Sequence, residues 1–199
     1  MRKINEIFYS LQGEGYHAGY PSIFVRFSGC NLACPFCDTK HETGEYMSDD
    51  EIIQTVNSYP ASWIVLTWGE PAMHIDSDFL IRLKEATGKK IAIETNGTIP
   101  LPEGLDWITV SPKEGICGDG DGRVEVEKAD EIKVVDVGQD LDRYFDLPCR
   151  NESTLMYLQP CFVEDEKERE SNRQRTISRV MSDPRWILSV QLHRFLGIP

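Results

Sequence analysis

Positive charge is scarce in this sequence: 21 Lys plus Arg stand against 33 Asp plus Glu, a formal charge of −12. Duplex DNA, tRNA and anionic lipid are held by clustered cations that release counterions, so an acidic surface argues against each as a direct partner. A small anionic substrate stays open, since it needs only one or two well-placed cations. Long hydrophobic runs are missing too, and none approaches the roughly 20 residues of a membrane span. The N-terminal MRKINEIFYSLQGEG carries two basic residues but no unbroken apolar stretch. It does not read as a signal peptide, and the cytosol is the expected compartment. There is no internal repeat, no low-complexity tract and no composition shift to mark a linker. With 199 residues, 40% of them hydrophobic, the chain suits one core of ordinary size, and a single domain over 1–199 is expected.

Six cysteines are present, and their distribution matters more than their number. Cys30, Cys34 and Cys37 lie within eight residues at C-x3-C-x2-C spacing, whereas Cys117, Cys149 and Cys161 are scattered. In a cytosolic chain a tight thiol cluster points to a metal or redox site rather than to disulfides. Three thiolates so close would repel each other unless a cation sat between them. A structural zinc site would need a fourth ligand, for which His41 is nearest. An iron–sulfur cube held by three thiolates would instead leave one iron without a protein ligand, and so open to chemistry. Spacing alone leaves both readings standing beside inert thiols. The scattered three read as small buried hydrophobes.

The remainder alternates strands and helices. Ile23–Phe27 alternates as a half-buried strand should, and Trp63–Thr67 reads as a buried one. Ser48 and Glu51 have capping-box spacing ahead of a helix with Ile52, Ile53 and Val56 on one face. Asp76–Thr87 reads as a helix stopped by Gly88. Further strands are expected at Ile91–Glu94, Trp107–Val110, Glu131–Val135, Leu155–Leu158 and Trp186–Val190. Between them come a short helix near Gln139–Phe145 and a charged one from Val163 to Met181, in which Asp165 and Arg169 could pair. The glycine-rich Gly115–Gly122 reads as one long loop. Strands separated by helices imply an α/β fold with a largely parallel sheet. A complete eightfold barrel takes about 250 residues. The expectation is therefore an incomplete, open (β/α) barrel of about six parallel strands, with the cysteine loop at 29–39 at a strand end.

Motifs narrow the chemistry. C-x3-C-x2-C is the signature of radical S-adenosylmethionine enzymes, and Thr67-Trp68-Gly69-Glu70-Pro71 resembles their Gly-Gly-Glu-Pro segment, with Trp68 where the first Gly is usual. Glu6–Gly15 (EIFYSLQGEG), Phe24–Phe27, Cys37–Thr39, Ile93–Thr98, Val110–Lys113, Glu131–Lys133, Leu158–Pro160 and Gln191–His193 resemble, in order, the 7-carboxy-7-deazaguanine synthases. The match runs from Glu6 to the C-terminus.

That resemblance implies a lyase that converts 6-carboxy-5,6,7,8-tetrahydropterin to 7-carboxy-7-deazaguanine with loss of ammonia, on the route to 7-deazapurines such as the queuosine precursor. It implies a [4Fe-4S] cluster on Cys30, Cys34 and Cys37, S-adenosylmethionine on the fourth iron, and a deoxyadenosyl radical that takes hydrogen from the pterin. Cofactor contacts would fall on Phe36, Cys37, Asp38, Gly69, Ser111, Pro112, Lys113, Gln159, Pro160, Cys161 and Phe162. The substrate side would comprise Leu11, Gln12, Gly13, Glu14, Arg26, Thr67, His193 and Pro199, the last through a terminal carboxylate. Thr39 resembles the family's Mg2+ ligand. The resemblance further implies a homodimer and an electron donor such as flavodoxin or ferredoxin. Arg26 also makes independent sense, because a carboxylated substrate needs a bidentate cation in an acidic protein. Two other functions compete: a radical activase acting on a glycine of a partner protein, which would have no need of QGEG or Arg26, and a zinc-stabilised binding module without catalysis.

Overall fold

The computed structural model describes residues 1–37, 43–117 and 122–199. Asp38, Thr39 and His41 lie outside the described residues, as does the middle of the Gly115–Gly122 loop.

The elements in chain order are β1 (Arg2–Leu11), β2 (Pro21–Phe27), β3 (Glu45–Met47), α1 (Asp49–Asn57), β4 (Trp63–Thr67), α2 (Ser77–Thr87), β5 (Lys90–Thr95), β6 (Trp107–Val110), β7 (Glu131–Asp136), β8 (Leu155–Pro160), α3 (Glu166–Ser182), β9 (Ile187–Leu188) and α4 (Leu192–Leu196). All the strands join one sheet in the order β3-β1-β2-β4-β5-β6-β7-β8-β9. From β2 to β9 every neighbouring pair is parallel, while β1 pairs antiparallel with both β2 and β3. The first and last strands are not paired with each other, so the parallel curve is an open α/β arrangement, as expected.

The antiparallel start is the largest addition to the sequence reading. A register shift between Ile4 and Glu6 breaks the period-two pattern of β1, which hides it from an alternation test. The short terminal helix α4 and the shrinkage of the last strand to Ile187–Leu188 also differ from expectation.

Local signals placed the helices well. Ser48 and Glu51 form the reciprocal box at the start of α1. Asp76 caps α2 through Phe79 N–H at 2.8 Å, and Gly88 ends it in the left-handed region at φ 65°. The expected Asp165–Arg169 ion pair gives way to a stronger local option. Asp165 caps α3 by accepting from Glu168 N–H, and Arg169 donates instead to the carbonyls of Val163 and Glu164. The short helix after β7 is a 3-10 turn at Asp142–Asp146.

Strand alternation divides the sheet's two faces. One row, including Ile23, Val25, Ile64, Leu66, Ile91, Ile93, Ile132 and Leu158, packs with Ile52, Phe79 and Leu83 of the helices into the main core. Buried Asp136 ties α3 to the end of β7 by accepting from Thr176 Oγ1 at 2.9 Å and Arg179 Nη1 at 3.0 Å. The opposite row is polar in its upper half: Arg26 is level with Thr67, Glu94 with Thr109, and Thr109 with Glu131. Those residues face the concave side. Its lower half is closed by Phe24, Val65 and Ala92 with Phe8, Trp63 and Trp107.

Candidate active site

At the strand tips the concave face opens into a cavity of about 560 Å³. Cys30, Cys34 and Cys37 border it from the loop after β2, and Leu11, Gln12, Gly13 and Glu14 border it from the end of β1. Arg26, Thr67, Gly69, Ser111 and Lys113 reach it from successive strands and the loops that follow them. Phe36, Gln159, Pro160, Cys161 and Phe162 form another side, and His193 and Pro199 the C-terminal wall. Ser10 Oγ donates to the Pro199 backbone oxygen at 3.0 Å. Of the expected site residues that are described, Pro112 alone does not border the cavity; it is buried behind Ser111 and Lys113.

Glycine appears where backbone must pass closely. A Cβ on Gly13 would fall 2.4 Å from His193 Nδ1, so QGEG needs that glycine for α4 to dock. Gly69, at φ 57°, lies so close to the cysteine loop that a Cβ would be 2.1 Å from the Gly29 carbonyl oxygen. Trp68, just before it, is the one non-glycine residue with positive φ among those described, at 64°. Such a conformation costs on the order of 1–3 kcal/mol and persists only where neighbours enforce it.

Glu70 enforces it from one side. Its fully buried carboxylate accepts from Thr95 Oγ1 at 2.6 Å, Asn96 N–H at 2.7 Å and Ala72 N–H at 3.0 Å, and its own N–H donates to Gly29 O. Glu70 thereby fastens the turn after β4 to the tip of β5 through its carboxylate and to the root of the cysteine loop through its backbone N–H.

Below them lies a buried charge cluster of which the sequence reading assigned a role to Glu14 alone. Lys133 Nζ pairs with Glu14 and stands 3.7 Å from Glu94. Glu94 also accepts from Gln12 Nε2 at 2.9 Å and Thr67 Oγ1 at 3.0 Å. Glu14 takes a second bond from Gln191 Nε2, and Glu131 accepts from Tyr16 N–H at 2.8 Å. Burial would raise the Glu14 pKa, but the Lys133 ammonium and bonds from Lys133 and Gln191 pull it down to about 2. Burial dominates at Glu131 and lifts it to about 7 against the pull of Lys133. Lys113 is lowered to about 8 by burial and by repulsion from Lys133. The available signal was charge at alternate positions of parallel strands, where apolar residues are the rule.

The cysteines present the chemistry of a soft-metal site, since thiolates suit iron–sulfur clusters. All three border one cavity, and Gly69, also on its border, lets the root of the cysteine loop approach closely. In this structure Cys34 is joined to Cys117 by a disulfide, with 4.8 Å between their Cα atoms, and no three ligating side chains among the described residues converge. The sequence reading gave Cys117 no partner; the loop after β6 brings it there. Cys34 has to be a free thiol before it can hold iron. Burial raises the Cys30 thiol above its ordinary pKa, so metal binding would supply the drive to ionise it.

An open α/β sheet with clustered cysteines at its strand tips has the build of a radical S-adenosylmethionine enzyme, and the Radical SAM superfamily model matches residues 24–115. The chain is 51% identical over 198 residues to the 7-carboxy-7-deazaguanine synthase of Bacteroides thetaiotaomicron, covering 100% of this chain and 99% of that one. It is 36% identical to the enzyme of that name from Nitratidesulfovibrio vulgaris, covering 99% of each. The crystal structure of QueE from Escherichia coli superposes with a TM-score of 0.75 at 29% identity, over 96% of this chain and 94% of that one. The chain belongs to the 7-carboxy-7-deazaguanine synthase family. Membership implies a [4Fe-4S] cluster and S-adenosylmethionine, and it sets aside the activase and the zinc module. No helix among the described residues is long and apolar enough to cross a membrane.

Proposed function

We infer that this chain, acting as one radical S-adenosylmethionine domain over residues 1–199, converts 6-carboxy-5,6,7,8-tetrahydropterin to 7-carboxy-7-deazaguanine with loss of ammonia. The observation that carries this reading is a single cavity bordered both by the cysteine triad and by Gln12, Glu14, Arg26 and His193. A cofactor and a substrate can therefore meet without crossing solvent.

Cys30, Cys34 and Cys37 would hold the cluster. Together with S-adenosylmethionine it supplies the one-electron chemistry that removes hydrogen from the pterin. Phe36, Cys37, Asp38, Gly69, Ser111, Pro112, Lys113 and the Gln159–Phe162 segment are assigned to the S-adenosylmethionine side, several through backbone atoms. Arg26 binds the substrate carboxylate. Glu14, ionised by its low pKa, accepts from the guanidine-like edge of the pterin. Leu11, Gly13, Thr67, His193 and Pro199 shape the remaining wall, and Gln12 and Thr67 hold Glu94 in place beneath it. Assignment of Mg2+ to Thr39, of a flavodoxin or ferredoxin as donor, of a homodimer and of a cytoplasmic location rests on family resemblance. The test is anaerobic turnover of iron-reconstituted protein, in which 7-carboxy-7-deazaguanine is expected without stoichiometric loss of S-adenosylmethionine.

A further inference from the structure

Trp68 stands where the superfamily segment has glycine, and the fold tolerates a strained backbone to keep it there. Its φ of 64° follows directly on the last residue of β4, and Gly69 repeats the left-handed turn at 57°. The chain is pinned on both flanks: Thr67 Oγ1 donates to Glu94, and Glu70 N–H donates to Gly29 O. The turn throws the indole across to β2, where Arg26 is the register partner of Thr67.

There the indole lies 3.9 Å from the Arg26 guanidinium carbon, and the Phe8 ring lies 4.4 Å from the same carbon. Two aromatic rings thus hold one guanidinium, and such contacts fix its plane as well as attract its charge. Only the edges of the fork remain for hydrogen bonds. Nη1 donates to Glu6 at 2.5 Å. Nε is buried with no hydrogen-bond partner, and Nη2 makes no hydrogen bond among the described residues. The Nε/Nη2 edge is the one a carboxylate takes with two parallel bonds. A buried donor without an acceptor is costly, so a carboxylate that gains access to Nε as it binds relieves a deficit already built into the free protein.

We propose that Trp68 is a positioning and specificity residue: with Phe8 it clamps Arg26 so that the Nε/Nη2 edge awaits a carboxylate, and it thereby makes the carboxyl group on the heterocycle the feature that separates a tightly bound ligand from a weakly bound one. This rests on the reading of Arg26 as the substrate-carboxylate residue. It explains why an indole is kept at a position that glycine would occupy without strain.

The test compares wild type, Trp68→Gly and Trp68→Phe as cluster-loaded protein. Calorimetric binding of 6-carboxypterin, of pterin lacking the carboxyl group and of S-adenosylmethionine is measured beside KM, kcat and thermal midpoint. Glycine suits the backbone, so Trp68→Gly is expected to keep or raise the midpoint. It should bind 6-carboxypterin about tenfold more weakly, with a matching rise in KM and little change in kcat. Binding of the decarboxylated pterin and of S-adenosylmethionine should not move, and Trp68→Phe should recover much of the loss. Equal affinity of wild type and Trp68→Gly for 6-carboxypterin would overturn the proposal, as would equal losses for all three ligands. If wild type forms no 7-carboxy-7-deazaguanine, the proposed reaction fails; the clamp still stands or falls on the binding of 6-carboxypterin against pterin.

Discussion

Glu14, from the loop after β1, and Lys133, from β7, form a buried ion pair that joins two segments 119 residues apart at the floor of the cavity. Lys133 faces three carboxylates, Glu14, Glu94 and Glu131, which hold its pKa above the ordinary lysine value although burial opposes them. Removing this ammonium would leave much of that negative charge poorly compensated in low dielectric. Lys133→Met is expected to cost about 3–5 kcal/mol in urea unfolding, the usual effect of deleting one partner of a buried pair. A loss below about 1 kcal/mol would show that water reaches the cluster.

The same cluster predicts a pH dependence. Glu131 is raised by burial to about 7, so the folded chain keeps a proton that the unfolded chain releases nearer the normal carboxylate value. Stability from this group therefore falls as pH rises through that window and levels off above about 7. Its surroundings are Lys133, which opposes the shift, and Glu94 and Glu14, which reinforce it. Glu131→Gln has no proton to lose. Its unfolding free energy relative to wild type should improve between about pH 5 and pH 8, and an unchanged difference would contradict the assignment.

Arg26→Ala is expected to weaken the pterin carboxylate about 10- to 100-fold, the scale of charge-assisted hydrogen bonds, while leaving S-adenosylmethionine affinity unchanged. Isothermal calorimetry with each ligand checks this. Equal losses for both would indicate damage to the fold.

Alanine at Cys30, Cys34 or Cys37 should each abolish iron and sulfide incorporation and reduce turnover to background. Cys149→Ala, which changes a thiol buried in the main core, should keep full iron content. Normal cluster loading in Cys34→Ala would end the triad assignment.

The legible parts of this protein are those whose signals are local. The Ser48–Glu51 box, the Gly88 stop and the alternation of Ile23–Phe27 each announce an element within a few residues. The cysteine spacing announces a thiolate site in the same way. β1 escaped because its bulge moves later side chains out of phase. The charge cluster escaped for another reason: Glu14, Glu94, Glu131 and Lys133 are brought together only by the sheet order, which no local pattern encodes. Trp68 was visible as a departure from the motif, but its purpose depends on Arg26 being its neighbour across β2 and β4.

The most direct test of the account is the reaction itself. Reduced, iron-reconstituted protein would be given S-adenosylmethionine and 6-carboxy-5,6,7,8-tetrahydropterin without oxygen, and the products weighed by mass spectrometry. Formation of 7-carboxy-7-deazaguanine with S-adenosylmethionine largely conserved is the predicted result. Build-up of 5′-deoxyadenosine with no deazapurine would contradict the substrate assignment while leaving the radical chemistry in place.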